Sequence, residues 1–142
     1  MNTSTMKALC VTRRFDAHAE RVFDAWLDPT MAGRWLFSAP GGEMVKVDMD
    51  ARVGGRFIFV DRRNGDDVEH VGEYLEIDRP RRLVFTFAVP KYSSVYTQVT
   101  IELERDGDGC LLTLTHEGVL PEWSERTKEG WAMILNHLAD TL

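Results

Sequence analysis

Residues 53–59 read VGGRFIF, a glycine pair running straight into an apolar strand. Glycines beside a strand can cradle a phosphate, or they can let a sheet turn a sharp corner. A phosphate loop sets its glycines between a strand and the N-terminus of a following helix, where unpaired N–H groups and the helix dipole hold the anion. Here the glycines lead into a strand, and neither GxxxxGK followed by Ser or Thr nor GxGxxG occurs in the chain. The pair therefore reads as a structural hinge, relieving the sterics of a bulge or corner in a curved sheet.

Outward from this point the period is two from residue 43 for about 75 residues. EMVKVDM, GRFIFVDR, VEHVGEYLEI, RLVFTFAV, VYTQVTIELE and CLLTLTHE are six strand-like runs. DARVGG, RNGDD, DRPRR, PKYSS and RDGDG separate them. Short Asn-Gly and Asp-Gly turns join antiparallel neighbours, so the sheet is expected to be a meander. Upstream, LCVTRRFDA suits a first strand, with Val11, Arg13, Phe15 and Ala17 on one side. AHAERVFDAWL then places Val22, Phe23, Trp26 and Leu27 at helical spacing, with Asp16 available as a cap. Asp28-Pro29 ends that helix and starts a second, TMAGRWLF, because proline disfavours helical geometry before it and suits a first helical position. After Pro121, Trp131, Ile134, Leu135, Leu138 and Leu142 recur at threes and fours, predicting a helix from about residue 124 to the end. The order is strand, two short helices, six strands and one long helix, an α+β arrangement in a single domain over residues 1–142.

Composition excludes several classes. The 142 residues are 44% hydrophobic and 28% charged, with net charge −6. No apolar run approaches the ~20 residues of a membrane span. Acidic residues spread along the whole chain give no long-range attraction to a phosphate backbone, so nucleic acid is not an expected partner. The N-terminal MNTSTMKALCV lacks the apolar region of an export signal, and the expected location is cytoplasmic. Cys10 and Cys110 are then expected as free, mostly buried thiols.

Alternation sorts the strands into an inward set: Val45 and Val47; Phe57 and Phe59; Val71, Leu75 and Ile77; Leu83, Phe85 and Phe87; Val99, Ile101 and Leu103; Leu112 and Leu114. Lys46, Asp48, Glu76, Gln98, Thr100, Glu102 and Thr113 belong in water. A long helix across the dry face would bring Trp131, Leu135 and Leu138 to the phenylalanines, with Trp26 and Trp35 closing an end. A curved sheet gripping one helix leaves room near its mouth for a small molecule. Glu73 and His116 fall on the dry face by the same alternation. Each then needs a polar partner, Arg56 or Arg82 for the carboxylate, or it orients a ligand. His18, His70, His116 and His137 show no HxxxH or HExxH spacing and the cysteines no CxxC, so no metal site is expected. No GxSxG occurs, and DGDG at 106–109 is a hairpin turn, too short for a calcium loop.

AERVFDAWLDPTMAGRWLF, the GGRF strand start, GEYLEIDRPRRLVFTF, VTIELERDGDGCLLTLTHEG and the late GW followed by IL and L resemble the family of activator-of-heat-shock-chaperone-ATPase homologues. That family lies within the START-related, birch-allergen-like superfamily, also called SRPBCC. The resemblance runs from about residue 10 to 142. It implies a helix-grip fold, a seven-stranded curved antiparallel sheet wrapping a long C-terminal helix, with a cavity that often takes apolar ligands. Trp35, Gly54, Gly55, Pro80, Gly130 and Trp131 match family positions that are mainly architectural, and no catalytic residue is carried over. The name-giving chaperone activator resembles this chain only in its C-terminal domain, and its separate chaperone-binding domain has no counterpart here.

Three functions follow as expectations. The first is binding of a small apolar or aromatic ligand between sheet and helix, without catalysis and without a cofactor, by Trp35, Phe57, Phe59, Glu73, Phe85, Phe87, His116 and Trp131. The second is a cyclase-, dehydratase- or hydrolase-like enzyme acting on a hydrophobic substrate, with Glu73 as base and His116 as acid. The third is an interaction module for a chaperone, in line with a stress response, which requires a large exposed apolar patch. A chaperone and a second copy of the chain are the macromolecular partners left open.

Overall fold

The computed structural model describes residues 8–37 and 41–142. The first seven residues, on which most of the export-signal reading rests, lie outside the described residues. The chain forms β1 (Leu9–Phe15), α1 (Ala19–Leu27), α2 (Pro29–Trp35), β2 (Glu43–Met49), β3 (Arg56–Arg63), β4 (Asp66–Asp78), β5 (Arg82–Phe87), β6 (Thr97–Asp106), β7 (Gly109–Glu117) and α3 (Pro121–Thr141). The seven strands make one sheet in the order β1-β7-β6-β5-β4-β3-β2, every pair antiparallel. From β2 to β7 each strand lies beside its sequence neighbour, as short turns dictate. β1 closes on β7, beside the strand that leads into α3, and α3 packs against β1 and α2. This is the α+β helix-grip arrangement.

The helix boundaries follow local chemistry. Asp28 caps α2, its Oδ1 accepting from the Thr30 N–H at 3.0 Å, and Pro29 occupies the first turn. Asp16 does not cap α1. His18 is the N-cap there and contributes no side-chain hydrogen bond, while Asp16 pairs with Arg14. α3 begins three residues earlier than the periodicity predicts, at Pro121, since proline suits the first helical turn.

The glycine pair answers the question it raises. Gly54 holds φ at +86°, a conformation that favours glycine. A Cβ on Gly55 would lie 2.0 Å from the Asp50 carbonyl oxygen. The turn they form reaches across to β4, with the Gly54 N–H donating to Tyr74 O at 2.8 Å and the Tyr74 N–H to Gly55 O at 2.9 Å. Immediately beyond, the pairing of β4 with β5 shifts register between Tyr74 and Glu76. The corner is built at this point.

That shift corrects part of the inward set. On β4 the buried residues are Val68, His70, Gly72 and Tyr74, whereas Leu75 is 41% exposed. Val71 and Glu73 share the parity of Leu75 and lie on the opposite face from His70 and Tyr74. Ile77 returns to the core side past the irregularity. β2 repeats the effect: pairing shifts between Met44 and Lys46, so Met44, Val47 and Met49 pack on the core and Val45 turns out. A bulge adds one residue to one strand and inverts the parity beyond it. Two smaller corrections follow from burial: Thr100 is buried rather than in water, and Cys10 is exposed while Cys110 is buried. The remaining strands keep the expected faces. Phe57, Phe59, Leu83, Phe85, Val99, Ile101, Leu103, Leu112 and Leu114 are all buried, and Trp131, Leu135 and Leu138 of α3 join them in one core.

Candidate ligand-binding groove

The centre of the grip is filled. Phe37, just past α2, inserts its ring among Phe57, Phe59, His70, Phe87 and Trp131, with centroid distances of 6.0, 5.2, 5.0, 5.1 and 6.0 Å. Its backbone is left-handed, φ +62°, which for a bulky residue costs of order 1–3 kcal/mol and persists only where packing imposes it. The space left among Trp26, Phe37, Phe57, Phe59, Tyr74 and Phe85 is about 10 Å³, too little for any organic ligand. Trp35 is fully buried, donating its indole N–H to Ala25 O at 3.2 Å and meeting Trp26 edge-on at 4.6 Å. Trp35, Phe57, Phe59 and Phe85 therefore stand as packed core.

Open volume lies at the other end of β5. A groove of about 670 Å³ runs between the segment linking β5 to β6, the end of β7, and the first turns of α3. Phe87, Val89, Val95, Val119, Leu120 and Trp123 give it apolar walls. Several of them face solvent in part, with Val95 63% and Trp123 50% exposed. Large apolar side chains grouped at a partly open groove are a recognition feature rather than scattered surface hydrophobics. Of the eight residues expected at a ligand site, Phe87 and His116 line this groove.

His116 is held by a chain of hydrogen bonds. The Trp131 indole N–H donates to His116 Nδ1 at 3.0 Å. The Thr97 hydroxyl donates to Phe87 O at 3.0 Å, which leaves its oxygen to accept from His116 Nε2, 2.7 Å away. The imidazole is thus neutral with its proton on Nε2. Burial pushes its pKa down to about 4, since the charged form would lose solvation. Both ring nitrogens are engaged by the protein, so His116 forms a wall of the groove and offers no proton to a substrate.

Glu73 does not share that interior. It borders a depression on the outer face with Asp48, Asp50, Arg56 and Thr86, opposite Arg56 in the β3–β4 register. Arg82 is engaged elsewhere, by Glu76 and Glu102. The pairing of Glu73 as base with His116 as acid is therefore corrected: the β4 irregularity puts the carboxylate on the other side of the sheet.

Sequence reasoning passed over His70, which is buried on β4 and stacked at 10° on Phe37. The Arg63 guanidinium donates to His70 Nε2 at 3.4 Å and pairs with buried Asp61 at 2.6 Å. Burial, then the neighbouring Arg63 charge, pushes the His70 pKa down to about 4. Its shared parity with Val68 and Tyr74 was the available signal. Among the described residues no group of three or more His, Cys, Asp or Glu side chains is placed to hold a metal ion, and no helix is long and apolar enough to cross a membrane.

Comparison with known proteins bears on the same architecture. The model of the family named Activator of Hsp90 ATPase homolog 1-like protein matches residues 16–142. No curated protein matches the chain. Among solved structures, a protein from Chromobacterium violaceum superposes with TM-score 0.86 at 29% identity, covering 94% of each chain. A protein from Rhizobium loti gives TM-score 0.81 at 26% identity over 96% of this chain and 97% of its own. An AHSA1-like protein from Aeromonas hydrophila, 19% identical over 95% of this chain and 91% of its own, shares the fold with TM-score 0.82.

Proposed function

The chain belongs to the Activator of Hsp90 ATPase homolog 1-like family, and from that premise we propose that it binds a small apolar or aromatic molecule, without converting it, in the groove between the β5–β6 segment and α3. The observation that carries this reading is the groove itself, about 670 Å³ with mostly hydrocarbon and aromatic walls. Small-molecule sites span roughly 300–1,000 Å³ and are lined in this manner. Phe87 and His116 contact the ligand; Trp131 acts through His116, fixing the ring that forms one wall. Trp35, Phe57, Phe59 and Phe85 support the site from the core behind it. Catalysis draws no support from His116, whose two nitrogens are already bonded.

The test uses the neutral probe 2-naphthylmethanol in a two-dimensional NMR titration. Amide shifts are expected at Val95, Val119 and Thr127, and Thr127→Trp, which fills the groove from α3, should weaken binding by about tenfold or more. Shifts confined to the outer face around Glu73, or no shifts at millimolar probe, would overturn the reading.

A further inference from the structure

We infer that the ligand class suited to this groove is an organic acid, an apolar and preferably aromatic body bearing one carboxylate, with Arg126 as the anchor for the acid group. The inference rests on the binding reading above and adds the chemistry of the ligand's polar end.

Arg126 is the one charged residue among those lining the groove. It projects from the second turn of α3, and its guanidinium carbon lies 5.3 Å from the centroid of the Trp123 ring. Stacking on the indole holds the planar fork at the rim without consuming its N–H donors. Among the described residues Arg126 enters no ion pair. Its helix neighbours Glu122 and Glu129, one turn away on either side, take no part in one either, and neither borders the groove. Most other arginines of the protein are committed: Arg14, Arg52, Arg62, Arg63, Arg79, Arg81 and Arg82 all pair with carboxylates. A guanidinium left available beside an apolar cavity matches a carboxylate in two parallel hydrogen bonds.

The other polar groups in the groove cannot take that role. His116 is neutral and saturated. The Thr97 hydroxyl is spent on Phe87 O. Ser93 and Thr127 can add a neutral hydrogen bond but no charge. The net charge of −6 also works against small hydrophilic anions at long range. Selection must then come from the local combination of apolar burial with one guanidinium, which favours an amphiphilic acid over a simple anion such as phosphate. The aromatic preference comes from Phe87, Tyr92 and Trp123, three rings bordering one groove.

Isothermal titration calorimetry with 2-naphthoic acid and 2-naphthamide, equal in shape and different in charge, separates this inference from the one beneath it. The wild-type protein should bind the acid about three- to fivefold tighter than the amide, the upper part of the range for an exposed ion pair. Arg126→Gln should reduce that preference to within about twofold by weakening the acid more than the amide, and Arg126→Lys should keep part of it. Arg126 is exposed, so these variants are expected to fold, checked by circular dichroism. Equal affinity for both probes in the wild type, or an acid preference that survives in Arg126→Gln, would overturn the carboxylate anchor and leave the apolar site standing. Failure of both probes to bind would overturn the two readings together.

Discussion

The Trp131 indole N–H donates to His116 Nδ1 across 3.0 Å, joining the long helix to the last strand through one buried polar contact. Trp131 belongs to the apolar face of α3 and His116 to the inner face of β7, so this bond fixes how the helix sits on the sheet at the back of the groove. Its loss would leave a buried donor without an acceptor, and the cost of such a group exceeds the modest net gain of forming the bond.

Replacing His116 by Phe should therefore destabilise the protein by about 1–3 kcal/mol, despite similar size and greater hydrophobicity, because the Trp131 N–H loses its acceptor. Trp131→Phe in the same background should recover part of the loss. Urea unfolding of the two single variants and the double variant measures the coupling.

Acidification should weaken the fold in a defined window. His70 and His116 both have pKa values pushed down to about 4 from 6.5, so between these values the unfolded chain binds more protons than the native one. Stability is then full above about pH 6.5 and falls as pH drops toward 4, by of order 2–3 kcal/mol for each histidine. Asp24, Asp28 and Asp67, whose pKa values are lowered by hydrogen bonds from Arg79, Thr30 and Arg62 respectively, add a further loss only at lower pH. Urea midpoints measured from pH 7.5 to 4 should show a decline that His70→Gln makes shallower.

Phe37 gives an inverted ranking. Removing a buried phenylalanine ring to Ala costs about 3–5 kcal/mol, and glycine ordinarily costs more than alanine. At φ +62° glycine is relieved of the backbone penalty that alanine still carries. Phe37→Gly should therefore be no less stable than Phe37→Ala, by thermal or urea unfolding.

Phe85 and Trp123 separate core from groove. Phe85 is 2% exposed beside the nearly filled centre, and Phe85→Ala should lose about 3–5 kcal/mol of stability. Trp123 is half exposed, and Trp123→Ala should stay within about 0.5 kcal/mol of wild type in unfolding while weakening 2-naphthoic acid binding severalfold. A binding defect in Phe85→Ala at a temperature where it remains folded, with none in Trp123→Ala, would move the site back into the grip.

Much of the architecture was legible because it depends on local patterns. The period of two, the Asn-Gly and Asp-Gly turns and the Asp28-Pro29 break act over a few residues, and the strands and helices they imply all form. The candidate site was legible in part. Of the expected site residues Phe87 and His116 border the groove, whereas Glu73 lies on the other face because alternation was counted back through an irregularity at Tyr74 and Glu76. His70 was lost to the same count. Phe37 carried no warning at all, since it follows a short helix and belongs to no periodic run.

By itself the amino-acid order determined which segments become strands and helices, which neighbours pair, and that one sheet face is dry, since backbone sterics and hydrophobic periodicity settle these within a few residues of chain. Where space remains is set by packing instead. A single bulge reverses which side chains enter, and one ring from a distant turn occupies the centre of the grip, so the vacancy arises from how separate segments meet in three dimensions.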